Sequence, residues 1–560
     1  MGNTKSSYRF HCEMEGFPEF LRREWRAIAI CGGAFCAAMF AAIVFVEPSF
    51  FYSRLSTDPL NYFLKAKQFA EAGNTAATRA VNAPPFPYSA MPGVLRSPFI
   101  VLFEDFDDQL RGMQVLNTII VGALGLLSAY VFSWVHPRPR HRYVIAFSFA
   151  FMLLSPVWVA NVFLPLADAP FAAFSLAALV VSITVVCARS PLSNKRGAIA
   201  GFAALVAIAS TLRFTAPLLL VFAAVLANGR RSLHSLPRRF WLGTGAVTLL
   251  FLVILVSLNF QAIFGRYLFE PLWFAARGDK PSMIANLLSV ALPSQVIPNF
   301  QLGFVHPPLD LLYTTKLTES TADIAWTLVG LALSTIMISG LWIGRRRFLP
   351  EIAYVLVPLP VLVPILPSTT RYMMSYQPFL WVFFYLGAIA LARRMGLLPL
   401  LKRPAVVATA LAVMMAVVVG LRGWKVAGTA SERVLAVTVT SAPAYVAGVG
   451  ETFQGLRQFL ESLPRERTLL IGDPGTEGRW KIIAGRDYYD PDPSLASIVR
   501  EKDVYLLAEC GTLDTCQSWE YYRNKAQQRV LKFGEFQFDS VYSRQSWRAH
   551  VEVFRIRNAL

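Results

Sequence analysis

The feature that most limits what this chain can fold into is a series of apolar runs, each about as long as a membrane is thick. They lie near residues 27–48, 113–135, 143–161, 163–187, 240–258, 324–343, 349–366, 373–391 and 405–421. Crossing about 30 Å of hydrocarbon takes roughly 20 helical residues. Inside lipid, every backbone polar group must be satisfied within the segment, which a helix does unaided. In a chain of 560 residues, 55% hydrophobic and only 16% charged, such a series reads as a polytopic α-helical membrane protein.

A further apolar region, 198–228, is broken by Thr211, Arg213 and Thr215. The charges around it decide how it is read. The short polar breaks at 136–142, 188–196, 229–239, 344–347 and 392–403 together carry 17 Lys or Arg and no Asp or Glu. The positive-inside rule places all five on the cytoplasmic side. Residues 198–228 therefore cross twice, or dip and return. About eleven transmembrane segments follow, with the N-terminus cytoplasmic and the C-terminus outside. The formal charge of +18 is then a topology signal rather than a nucleic-acid surface.

Three parts are expected: a cytoplasmic tail (1–26), a transmembrane body (27–421) with long outer loops at 49–112 and 259–323, and an extracytoplasmic α/β domain (422–560). In the last part, TLLIGD (468–473), DVYLLAEC (503–510) and HVEVFRIR (550–557) have strand character, while 494–502 and 518–530 have helical spacing. GDPGTEG (472–478) lacks the Lys-Ser/Thr of a phosphate loop and reads as a turn. Cys510 and Cys516, in ECGTLDTC, are the two cysteines expected outside, where an oxidising compartment allows a disulfide. No cleavable signal precedes the first run, which is expected to stay as an anchor. A cell inner (plasma) membrane is the expected location, with the C-terminal domain periplasmic or extracellular.

The first outer loop carries the residues of chemical interest. Residues 59–72 place Tyr62, Phe63, Ala66, Phe69 and Ala70 on one helical face, with Lys65, Lys67 and Gln68 around the other. This spacing predicts an amphipathic helix lying on the membrane surface. Asp58, followed by Pro59, reads as its cap. A carboxylate at that depth could equally serve as general base on a hydroxyl, although backbone N–H bonds would weaken it as a base. A proline-rich stretch (82–93) and an acidic one (103–112) follow. Glu104, Asp105, Asp107 and Asp108 read as a solvated helix start that could also gather a divalent cation. Asp168 in LADAP again stands near a proline at the outer end of a span, where ionisable groups are costly. Arg213 and Arg371, the latter with Tyr372 in RYMMSYQP, could snorkel to headgroups or clamp a lipid-linked phosphate. No HExxH, GxSxG or metal-ligand spacing is present.

The order of these features resembles the GT-C superfamily of membrane glycosyltransferases, especially the branch with protein O-mannosyltransferases and the aminoarabinose transferase of lipid A. The resemblance is carried by TDPLNYFLKAKQFAEAG, PPFPYSAMPGVLRSPF, LADAP and RYMMSYQP over about residues 27–395. Pro59 stands where many members have a second acid, and the WWDYG-type signature of oligosaccharyltransferases is absent. The resemblance implies an inverting transfer of a hexosyl or pentosyl group from a polyprenyl-phosphate-linked donor to a lipid, glycan or protein acceptor at the outer face. Asp58 would be the general base. Asp168 and Tyr62 would orient the acceptor or a metal, and Arg371, Arg213 and Tyr372 would hold the donor phosphate. A divalent cation is the one cofactor in view. A lipid or glycan transporter, and an outer-face glycan ligase or polymerase, are the alternatives.

Overall fold

The structure is a computed structural model. It describes residues 16–55, 57–81, 91–133, 156–187, 192–212, 335–345, 348–356, 375–397, 442–472, 479–488, 494–510, 523–528, 530–531, 534–546 and 549–558, with a few single residues between and around them.

Helix α1 (Phe17–Phe45) begins ten residues before the expected span, with Pro18 in its first turn. It buries a narrow stripe of Phe20, Glu24, Phe35, Met39 and Ile43. The opposite face leaves Ile30, Val44 and Phe45 70% or more exposed. An apolar helix that turns its apolar side outward is stable only where lipid replaces water. α1 packs on α4 (Phe106–Ser133). Phe17 meets the Tyr130 ring edge-on at 5.1 Å, and Phe35 lies beside Gly122, so the two helices run antiparallel. Both are long and apolar enough to cross a membrane.

The body continues with α5 (Pro156–Phe163), α6 (Asp168–Cys187) and α7 (Leu192–Leu212), then α8 (Thr335–Gly344), α9 (Leu349–Leu356) and α10 (Gln377–Arg394). Polar side chains on α4 are spent on a neighbouring backbone. Gln114 donates to the Phe163 carbonyl at 3.1 Å, and Asn117 to those of Val162 and Leu164 at 3.3 and 3.1 Å. These carbonyls belong to the end of α5 and the turn into α6, where helix geometry leaves acceptors unsatisfied. α8 and α10 cross with their backbones touching. A Cβ on Gly340 would meet the Phe383 carbonyl oxygen at 1.7 Å, so only glycine fits there.

In the outer loop, a 3-10 turn (Pro48–Arg54) leads to α2 (Thr57–Val81) and α3 (Met91–Leu102). α2 is longer than the amphipathic helix expected over 59–72, and its first two turns are enclosed while Lys67 and Glu71 stay exposed. Residues 59–63, 65 and 66 are all buried, on every side of the helix. One face packs on α3, and Phe63 reaches the Phe106 ring at 5.0 Å. A Cβ on Gly93 of α3 would sit 3.0 Å from the Lys65 backbone carbon, so glycine there lets the two helices close up.

The C-terminal part opens with α11 (Ala442–Ser462). It continues as β1 (Thr468–Ile471), α12 (Arg479–Ala484), β2 (Asp487–Tyr488), α13 (Leu495–Glu501), β3 (Asp503–Cys510), β4 (Val530–Leu531), β5 (Gly534–Ser546) and β6 (Ala549–Asn558). The sheet order is β2-β1-β3-β6-β5-β4, with β2, β1 and β3 parallel and the rest antiparallel. β3 lies centrally and is buried over seven of its eight residues. The last carbonyls of α11 are closed by Arg486, which donates to those of Leu460, Glu461 and Leu463 at 2.7, 2.9 and 2.6 Å. Gly485, at φ +63, turns the chain so that Arg486 can reach them. Cys510 at the end of β3 is disulfide-bonded. Its expected partner, Cys516, lies outside the described residues.

Candidate functional site

Asp58 falls in the first turn of α2, which begins one residue earlier, at Thr57. Its side chain lies outside the described residues, as do Arg213, Arg371 and Tyr372. One turn further along α2, Tyr62 is buried at 7% exposure. Asp168, also buried, is the first residue of α6. At this helix start the Ala169 N–H donates to Asn161 Oδ1 at 3.3 Å.

What brings Tyr62 and Asp168 together is a residue that sequence reasoning passed over. Arg96 lies in the middle of α3 and is 1% exposed. Its Nη1 donates to the Pro92 carbonyl at 3.0 Å and its Nη2 to the Leu166 carbonyl at 2.5 Å. Burial pulls its pKa down to about 10, against the opposing fields of Tyr62 and Asp168. The guanidinium thus ties α3 to the turn before α6 and sits within electrostatic reach of a phenol on α2 and a carboxylate on α6. The signal was present as a lone arginine inside the apolar run VLRSPFIVL.

Lys65, expected on the polar side of a surface helix, is fully buried on α2. Burial pulls its pKa down to about 7. Its position beside Gly93 shows why the expectation failed at this residue: an amphipathic pattern predicts one solvated side, and here α3 covers that side at Lys65 while Lys67 stays exposed. Deeper in the body, Ser175 lies two turns beyond Asp168 on α6 and is fully buried. The Tyr354 ring lies 4.9 Å from that of Tyr376. This ring contact places the end of RYMMSYQP against α9.

The acidic run is the largely exposed start of α4, as expected, with Glu104, Asp105 and Asp108 open to solvent, and two of its acids also meet a partner from the C-terminal part. Arg457, from α11, donates Nη2 to Asp105 Oδ1 at 2.8 Å and Nη1 to Asp107 Oδ2 at 3.1 Å. The same Nη1 donates to the Tyr52 hydroxyl oxygen at 2.8 Å, and the Tyr52 O–H donates to Asp107 Oδ1 at 2.5 Å. Burial pushes the Tyr52 phenol well above its ordinary value, and the Asp107 charge adds to that. Burial would also raise Asp105, but bonds from Arg457 and from backbone N–H groups outweigh it and hold the carboxyl below the usual range. These carboxylates do not fit a divalent cation, because a guanidinium already faces them. Among the described residues no group of three or more His, Cys, Asp or Glu is placed to hold a metal ion.

A helical body that exposes apolar faces, joined through its first outer loop to a mixed α/β sheet, is a fold shared with solved membrane enzymes of the GT-C type. The solved structure of ArnT from Cupriavidus metallidurans bound to undecaprenyl phosphate superposes with a TM-score of 0.51 at 14% identity, over 94% of this chain and 97% of that one. An Archaeoglobus fulgidus oligosaccharyltransferase tethered with an acceptor peptide gives 0.49 at 12% identity, over 97% of this chain and 75% of that one. No family model matches the sequence, and no curated protein does.

Proposed function

We propose that this chain is a membrane glycosyltransferase that moves a hexosyl or pentosyl group from a polyprenyl-phosphate-linked donor to a lipid, glycan or protein acceptor outside the cytoplasm. The observation that carries the reading is the convergence of Tyr62, Arg96 and Asp168 from three separate elements, one turn along α2 from Asp58. The fold shared with ArnT, a protein solved with undecaprenyl phosphate bound, agrees with it.

In this reading Asp58 takes the proton from the acceptor hydroxyl. The acceptor oxygen then bonds the anomeric carbon from the face opposite the phosphate, and the carbon–oxygen bond to the carrier breaks with its electron pair leaving on polyprenyl phosphate. Departure of an anion calls for fixed positive charge rather than a general acid. Arg371, with Tyr372 and Arg213, supplies it at the donor phosphate. Asp168 and Tyr62 orient the acceptor, and Arg96 holds their elements in place. No step is derived through a metal ion.

The test is transfer of radiolabelled sugar from polyprenyl-phosphate donors in membranes containing the wild type or Asp58→Asn, both shown to be monodisperse after extraction. Asp58→Asn should lower transfer by about 100-fold or more, the usual weight of a general base. Transfer at the wild-type rate would remove Asp58 from that role. A wild type inactive with every donor would remove the transferase reading.

A further inference from the structure

The C-terminal part meets the body at one residue of the 3-10 turn, and it holds that residue at both ends. Tyr52 is fully buried. Its ring stands edge-on between Phe106 of α4 and Trp480 of α12, at 5.7 and 6.2 Å. Its hydroxyl lies between Arg457 and Asp107. Its backbone carbonyl accepts from Arg479 Nη1 at 3.0 Å. Arg479 is itself fully buried and ion-paired with Glu509 of the central strand β3, whose other oxygen accepts from Trp480 Nε1 at 3.1 Å. Two arginines of the C-terminal part thus hold one tyrosine of the outer loop.

Three residues on, the Leu55 N–H closes the turn onto the Phe51 and Tyr52 carbonyls at 3.1 and 3.3 Å, and its side chain is buried. α2 begins two residues later, with Asp58 in its first turn. A span this short and this well bonded transmits the position of Tyr52 to the start of α2. The Arg457 guanidinium also faces three carboxylates, those of Asp105, Asp107 and Glu461. Removing it takes away four charge-assisted bonds and leaves like charges facing one another.

We infer that Arg457 is a positioning residue: through Tyr52 it lets the C-terminal part set where the first turn of α2, and with it Asp58, stands in the membrane body. The inference rests on the role proposed above for Asp58.

The test uses the full-length protein in lipid nanodiscs with Arg457→Ala, Arg457→Lys and Tyr52→Phe, the last removing only the hydroxyl in case the alanine variant folds poorly. Two readouts are taken: amide hydrogen exchange over residues 48–64, and kcat against KM for sugar transfer. Charge-assisted bonds are each worth enough to change an equilibrium about tenfold, so Arg457→Ala should speed exchange in 48–64 by about tenfold or more. Exchange in 503–510 should stay unchanged, kcat should fall by a similar factor, and the donor KM should stay within about twofold. Tyr52→Phe should show the same pattern more weakly. Arg457→Lys should recover part of the loss, because it restores the charge without the fork. Unchanged exchange in 48–64 in both Arg457→Ala and Tyr52→Phe would overturn the inference, as would faster exchange with an unaltered kcat. A wild type that transfers no sugar would overturn the catalytic half together with the proposed function. The exchange result alone would then decide whether Arg457 holds the turn.

Discussion

Arg96 and Arg457 are both arginines that join distant parts of the chain, yet they are built on opposite principles. Arg96 is sealed inside the outer-loop helices and donates to backbone carbonyls. Arg457 sits at the seam with the C-terminal part, 12% exposed, and donates to carboxylates and a phenol. Carbonyl partners do not titrate and this tie is shut away from water, so the Arg96 tie is insensitive to salt and costly to lose. Carboxylate partners near water give a tie that salt and neighbouring charges can tune. The molecule thus holds the inner edge of its candidate site rigidly and its outer seam adjustably.

The most severe way to break this contrast is Arg96→Met. It takes the charged donor from the Leu166 carbonyl and a buried cation from the neighbourhood of Asp168, so the loss should be about 2–3 kcal/mol. Reduced monodispersity and a lower midpoint in detergent unfolding would show it; a variant as stable as the wild type would refute the tie.

Lys65 sharpens the same side of the comparison. Its pKa in the fold is about 7, below the ordinary 10.5. Between those values the unfolded chain carries a proton that the fold does not, so stability should rise with pH from about 7 to 10 and fall back as pH drops toward 7. The slope per pH unit should approach about 1.4 kcal/mol, and Lys65→Met should flatten it. Unfolding midpoints at several pH values decide this, and a flat wild-type profile would contradict the burial of the ammonium.

At the seam, Arg457→Ala should cost less, about 1–2 kcal/mol, because water can replace part of what is lost. That cost should shrink at high salt, whereas that of Arg96→Met should not. Smallest of all, Glu461→Ala removes a 45% exposed carboxylate from the same network. It should shift stability by no more than about 0.5 kcal/mol. A larger effect would mean that Glu461, rather than the acidic run on α4, is the principal partner of Arg457.

Much of the frame was legible because it is written in local pattern. Length and hydropathy mark α1, α4 and α6. Alternation and β-branched content mark β1, β3 and β6, while the period of 3.6 marks α2 and α13. What local pattern misjudged were residues whose surroundings come from elsewhere. Lys65 occupies the polar side of an amphipathic helix, and nothing within α2 announces that α3 will cover it. The acids at 103–112 gave no hint of Arg457, because that partner is 350 residues away along the chain for Asp107 and 352 for Asp105. Arg96 was visible as an odd charge in an apolar run, but its tie to Leu166 links α3 to a turn 70 residues on.

The amino-acid sequence by itself therefore determined the apolar helices of the body and three of the six strands of the C-terminal sheet. Each follows from transfer free energy or backbone periodicity within a window of about 20 residues or fewer. Only the tertiary structure decided which charges are buried, which acids are paired, and that Tyr52 is held between two arginines of the C-terminal part. Desolvation and ion pairing depend on what lies within a few ångströms, and long-range packing sets those neighbours.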